Sequence, residues 1–173
     1  MLTATISYAT VKYFVPNSVY TVQLAEKREL MTHNKDKRIL SLMRIDKLIE
    51  IDFHKLDIDD DFNKILDAIS TSNRNIFPVL NKEGYFKGYI LLDDIRKIIF
   101  KPEIYNSLKV KDLIKVPTET IDISEDMHDI ASRFNKSDKY NITVLDQGKY
   151  IGFLSRAKLF SRYRKLLRYF SED

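Results

Sequence analysis

The sequence predicts an α+β fold made of two copies of one small unit, each strand-helix-strand-strand-helix, behind an N-terminal helical segment. Three observations carry this. The chain has only four glycines, and they fall into two pairs, Gly84 with Gly88 and Gly148 with Gly152. Residues 59–80 overlay residues 124–145 without a gap at an offset of 65, and the offset drops to 64 at Gly148. In each copy the apolar spacing passes from helical to strand-like at matching positions, and a period of this size marks a duplicated supersecondary unit.

Taken in order, Met1 to Phe14 is apolar and aromatic but too short to cross a bilayer. Pro16-Asn17-Ser18 makes a turn, and Ser18 caps a second helical stretch, Val19 to Leu30. A short extended piece near Leu48 to Phe53 introduces the first copy. Asp59-Asp60-Asp61 then supplies the cap and first-turn carboxylates of a helix, whose face is Phe62, Ile65, Leu66 and Ile69. Next come a strand, Ile76 to Leu80, a turn at Gly84, a hairpin partner, Tyr85 to Leu92, and a second helix, Asp93 to Phe100. The second copy repeats this: an extended piece at Leu113 to Thr118, a cap at Ser124-Glu125-Asp126, and a helix face of Met127, Ile130, Ala131 and Phe134. Strands at Ile142 to Leu145 and Tyr150 to Leu154 follow, with a closing helix from Arg156 to about Tyr169. The expected divisions are 1–43 for the N-terminal segment and linker, 44–105 for the first unit and 106–173 for the second.

With 173 residues, 44% of them hydrophobic, the chain can build a real core. The absence of cysteine excludes disulfides and thiolate chemistry, and His33, His54 and His128 lack ligand-like spacing, so no metal site is expected. Asp57, Asp59 and Asp61 resemble the start of a calcium loop, but Phe62 and Ala68 stand where that loop needs Gly and Glu. No nucleophile, phosphate-loop or zinc-protease motif occurs, so no enzyme is expected. Without a long apolar run or a leader pattern the chain reads as soluble and intracellular. Residues 155–173 hold six basic side chains against two acidic, whereas the first 154 residues are neutral, with 23 of each. A nucleic-acid partner is therefore not expected, because phosphate neutralisation needs a basic face.

Phe77-Pro78-Val79-Leu80, then Glu83-Gly84, then Gly88-Tyr89-Ile90-Leu91-Leu92-Asp93-Asp94 resembles a CBS motif, the unit named after cystathionine β-synthase. Two tandem copies resemble a Bateman module, over about residues 44 to 169. Thr10 to Tyr20 and Gln23-Leu24-Ala25 resemble the last two membrane helices of a ClC-type chloride channel or transporter, and Thr32 to Lys37 resembles its connection to a cytoplasmic CBS pair. On this resemblance the chain is a piece of an integral membrane protein, soluble by itself and placed at the cytoplasmic face of the inner (plasma) membrane. Its partner would be the channel's membrane domain, and Tyr20 would match a chloride-coordinating tyrosine that works only in the full-length channel. A homodimer is expected, because CBS pairs tend to pack into discs and the apolar strip Leu2 to Phe14 needs cover.

The resemblance implies candidate sites for ATP, ADP or AMP between the repeats, where a Ser/Thr-x-x-Asp element of one meets the first-strand region of the other. A carboxylate there accepts ribose hydroxyls, while a hydroxyl and helix N-terminal amides hold phosphate. One candidate cleft joins Asp94 to Val116, Thr118, Tyr140 and Ile142. The other joins Ser155 and Lys158 to Ile51, Phe53, Ile76 and Phe77. Both elements depart from the pattern: Leu91 replaces the hydroxyl beside Asp94, and Lys158 replaces the carboxylate after Ser155. Two roles stay open for these residues, a nucleotide site or a helix-capping carboxylate and a solvated surface charge. The basic closing helix likewise reads either as a contact with an anionic membrane face or as a helix packing its apolar stripe on the repeats. The functional expectation is a regulatory CBS pair of a ClC-type protein; the alternative is a free-standing nucleotide sensor acting on a partner enzyme, with a nucleic-acid binder using the basic tail third.

Overall fold

A computed structural model describes residues 36–170. These fall into two units: residues 36–42 belong to the first, where 36–41 are helical, and residues 43–170 belong to the second, which holds both repeats. The expectations placed on residues 1–35, including Tyr20 and the strip Leu2 to Phe14, lie outside the described residues.

The α+β expectation holds, with two three-stranded sheets built alike. In the first repeat β1 (Leu56–Asp57) leads to helix α1 (Phe62–Thr71), then strands β2 (Ile76–Leu80) and β3 (Phe86–Leu91) and helix α2 (Leu92–Ile95). The second repeat has β4 (Thr120–Asp122), α3 (Met127–Lys136), β5 (Asn141–Asp146), β6 (Lys149–Ser155) and α4 (Arg156–Tyr169). In each sheet the first strand pairs parallel with the second across the connecting helix, and the second pairs antiparallel with the third.

The carboxylates ahead of α1 and α3 act as the sequence implies. Asp61 accepts from the Lys64 amide at 3.1 Å and Asp126 from the His128 amide at 2.7 Å, each satisfying a donor that the first helical turn leaves unpaired. The loops before them repeat the same bonds: Asp57 accepts from the Asp59 amide, as Asp122 does from the Ser124 amide and hydroxyl. The Ser124 hydroxyl holds the Asp122 carboxyl below its usual range. The change of offset also has a local cause. Residues 147–148 form a two-residue hairpin turn with Gln147 and Gly148 at φ 49° and 82°. The first repeat takes one residue more there, bending through Asn81, whose side chain accepts from the Tyr85 amide.

One expected element is shorter than the sequence suggests. The helix expected over Asp93 to Phe100 stops as α2 at Ile95, because the amides of Ile98 and Lys101 bond back only three residues, to Ile95 and Ile98. The Tyr105 hydroxyl donates to the Ile99 carbonyl, and Lys101, preceding Pro102, leaves the helical region at φ −125°, ψ 74°. The extended pieces before each repeat pair across the repeats. Glu50 bridges Phe153 on β6 and Lys115 bridges Tyr89 on β3, so each repeat's leading segment lies along the other repeat's last strand.

Phe62, Ile65, Phe77, Val79, Ile90 and Ile95 form the first core. In the second repeat Ile121, Ile130, Phe134, Ile142, Val144 and Leu154 are fully enclosed. A third cluster, Phe53, Tyr150 and Phe153, packs against half-buried Ile76, Leu80, Phe86 and Tyr89 and so joins the repeats. Two backbone bonds close the same seam: Phe86 donates to Gly148 at 3.1 Å and Tyr150 to Gly84 at 3.2 Å. Burial pushes the Tyr150 phenol well above its ordinary value, and its hydroxyl has no hydrogen-bond partner among the described residues. Tyr150→Phe is therefore expected to raise stability by about 1 kcal/mol, the desolvation cost of an unpaired hydroxyl. A lowered urea midpoint would show instead that the hydroxyl is bonded in solution.

Candidate functional site

The exchange of leading segments creates two related clefts with opposite electrostatics. Behind the cleft of Asp94, Lys115 exchanges both backbone bonds with Tyr89, at 2.9 and 3.0 Å, and its ammonium donates to the Asp94 carboxylate at 2.7 Å. Beside it Val116 is exposed. Lys139 donates to the Thr118 hydroxyl at 2.7 Å, next to the exposed ring of Tyr140. Lys115 thus occupies the Asp94 carboxylate and Lys139 the Thr118 hydroxyl, the groups a ribose would use. Ile142 is a correction: its side chain is enclosed in the second core and offers nothing to a ligand.

At the equivalent place in the other cleft, Glu50 exchanges backbone bonds with Phe153 at 2.7 and 2.9 Å. Here the charges are inverted, with Lys158 standing for Asp94 and Glu50 for Lys115. Glu50 does not close the cleft, because Arg74 draws it aside in an ion pair at 3.0 Å and reaches Asp52 at 3.6 Å. The Arg74 guanidinium lies over the Phe53 ring at 4.6 Å. Ser155 caps α4 by accepting from the Lys158 amide at 3.2 Å, and the Lys158 ammonium approaches the Ile49 carbonyl at 3.4 Å.

An open cleft of about 550 Å³ results, lined by Ile49 to Asp52, Arg74, Ser155, Ala157 and Lys158. Ser155, Lys158 and Ile51 all line it. Phe53 lines an adjoining hollow. Phe77 is a correction, since it is fully enclosed in the first core, while Ile76 is half-buried against the aromatic cluster at the seam.

Sequence reasoning did not single out Arg74, Glu50 or Asp52. A signal existed, since Arg74 stands 65 residues before Lys139, so a cation precedes the second strand in both copies. Chemically the open cleft offers two cations, a hydroxyl, two carboxylates and the exposed aliphatic face of Ile51. That set suits a ligand with an anionic end and a flat or hydroxylated end.

No family model matches the sequence, and no curated protein matches it. Solved structures do match. CbpB in complex with c-di-AMP superposes with a TM-score of 0.65 at 16% identity, covering 80% of this chain and 96% of its own. A CBS domain protein from Streptococcus pneumoniae gives a TM-score of 0.65 at 17% identity, covering 79% and 97%. This is the fold of a CBS-domain pair. CBSX2 in complex with AMP has it too, with a TM-score of 0.57 at 18% identity over 70% of this chain and 96% of its own. In this CBS-pair fold the clefts of Asp94 and Lys158 are the two places where the repeats embrace each other's leading segments. Among the described residues no helix is long and apolar enough to cross a membrane.

Proposed function

We propose that the chain is a regulatory rather than catalytic CBS pair that takes an adenine nucleotide in the cleft of Lys158. The observation that carries this is the inverted charge: one cleft holds its carboxylate in an ion pair with Lys115, while the other presents Lys158 to an open volume bounded by both repeats. Fold neighbours solved with c-di-AMP and with AMP make adenine nucleotides the first ligands to try. The Lys158 ammonium takes phosphate, Asp52 accepts hydroxyls and Ile51 supports the base. Occupation would favour whichever arrangement of the repeats binds the ligand better, and so bias a partner.

For that partner the ClC-type membrane domain rests on Thr10 to Ala25 of the sequence; a free-standing homodimeric sensor acting on an enzyme fits the described residues equally well. Reading the gene on the 5′ side of Met1 separates the two, since membrane helices encoded there favour the channel.

The site is tested by titrating the chain with AMP, ADP, ATP and c-di-AMP while following thermal stability. At 100 times its dissociation constant a ligand adds about 2.7 kcal/mol. The gain is expected to vanish in Lys158→Ala and to persist in Asp94→Ala. The reverse pattern would move the site to the other cleft, and no gain with any nucleotide rejects the reading.

A further inference from the structure

Beyond the cleft, Lys158, Ser161, Arg162 and Lys165 follow one another at i, i+3, i+4 and i+7 and form one exposed stripe of α4. Across from them stand Lys47 and Leu48, and the two walls enclose a second groove of about 600 Å³. It shares Ala157 and Lys158 with the nucleotide cleft, so the two volumes adjoin at the start of α4. No carboxylate lines it, and α4 itself carries no acidic residue. None of the ion pairs among the described residues engages Lys158, Arg162 or Lys165, and Lys47 has only a long contact of 4.0 Å to Asp46. At a rise of about 1.5 Å per residue the stripe runs about 10 Å along the helix.

Four like charges facing one groove repel one another, and a chain of phosphates relieves that repulsion while gaining charge-assisted hydrogen bonds. A single phosphate placed at Lys158 reaches only the first of them. We infer that this groove is a polyphosphate subsite, so that the chain ranks nucleotides by their number of phosphates. The inference rests on the Lys158 cleft being the nucleotide site, and it assigns Lys47, Arg162 and Lys165 to the distal phosphates.

The test compares AMP, ADP, ATP and inorganic tripolyphosphate by calorimetry on the full chain and on the double variant Arg162→Gln, Lys165→Gln. Affinity is expected to rise from AMP to ATP. The double variant is expected to lose about tenfold for ATP, the scale of one charge-assisted hydrogen bond, while AMP changes less than twofold and reports an intact cleft. Tripolyphosphate is expected to compete with ATP. AMP and ATP binding equally, or both losing equally in the variant, overturns the subsite and leaves the nucleotide cleft standing. Tripolyphosphate binding that the variant loses, with no nucleotide binding at all, keeps the groove and rejects the cleft. Phosphatidylserine vesicles that bind through the same residues, without competition from ATP or tripolyphosphate, would make the groove a lipid contact and overturn the proposal.

Discussion

Gly88→Ala and Gly152→Ala are each expected to cost about 2–4 kcal/mol, the range of overpacked, backbone-limited sites. A β-carbon on Gly152 would lie 2.4 Å from the Glu50 carbonyl oxygen and 2.5 Å from Ile49. On Gly88 it would lie 2.3 Å from Ile114 and 2.6 Å from the Lys115 carbonyl oxygen, at a φ of 151° that side chains rarely adopt. In both cases the obstacle includes backbone, which cannot swing away as a side-chain end can. The leading segment would have to lift off the strand, breaking the reciprocal bonds of Glu50 with Phe153 or of Lys115 with Tyr89. Gly84→Ala is the control: its φ is 84°, but nothing lies within 4 Å, so it is expected to cost only about 1–2 kcal/mol for the left-handed backbone. Urea unfolding of the three variants measures this. Equal costs at all three positions would mean that the segments do not rest on the strands as described. A further readout separates the pair: Gly152→Ala lifts the wall of the Lys158 cleft and is expected to weaken nucleotide binding, whereas Gly88→Ala acts on the other cleft.

Those glycines show what the sequence makes legible. Their pairing revealed the duplication because the fold needs bare backbone at the same place in both copies, and the acidic caps revealed α1 and α3 because unpaired helix amides demand an acceptor. The helix expected from Asp93 is shorter for a reason that local signals do not carry. Ile95, Ile98 and Ile99 have helical spacing, but the Ile99 carbonyl is claimed by Tyr105, a tertiary contact that periodicity does not encode. Lys158 was legible because it breaks a motif at a known position. Arg74 was not, since its value comes from Glu50, Asp52 and Phe53, which only the crossing of the leading segment brings to it. Phe77 and Ile142 are enclosed for a different reason: β2 and β5 are the middle strands of their sheets, and three successive side chains of each are buried, so neither face of these strands is open to a ligand there.

Phe153→Ala is expected to have the larger structural effect, about 3–5 kcal/mol, as for other enclosed phenylalanines. Its ring centroid lies 4.7 Å from that of Phe53 and 5.6 Å from that of Tyr150, so truncation opens a cavity at the seam between the repeats rather than inside one of them. Phe134→Ala, in the core of the second repeat, removes the same ring from an equally enclosed place and is expected to cost a similar amount. The two differ in reach. Phe53 carries Arg74 on its face, and Arg74 in turn holds Glu50 and Asp52 away from Lys158. Loss of Phe153 removes the support beneath Phe53, and the cleft wall loses its position along with the core. Nucleotide affinity, measured at a temperature where both variants remain folded, is therefore expected to fall in Phe153→Ala and to hold in Phe134→Ala. Phe153→Leu keeps most of the volume and serves where the alanine variant is too unstable to assay. Equal affinity in the seam and core variants would mean that the aromatic cluster only joins the repeats, and that Arg74 is positioned by its carboxylates alone.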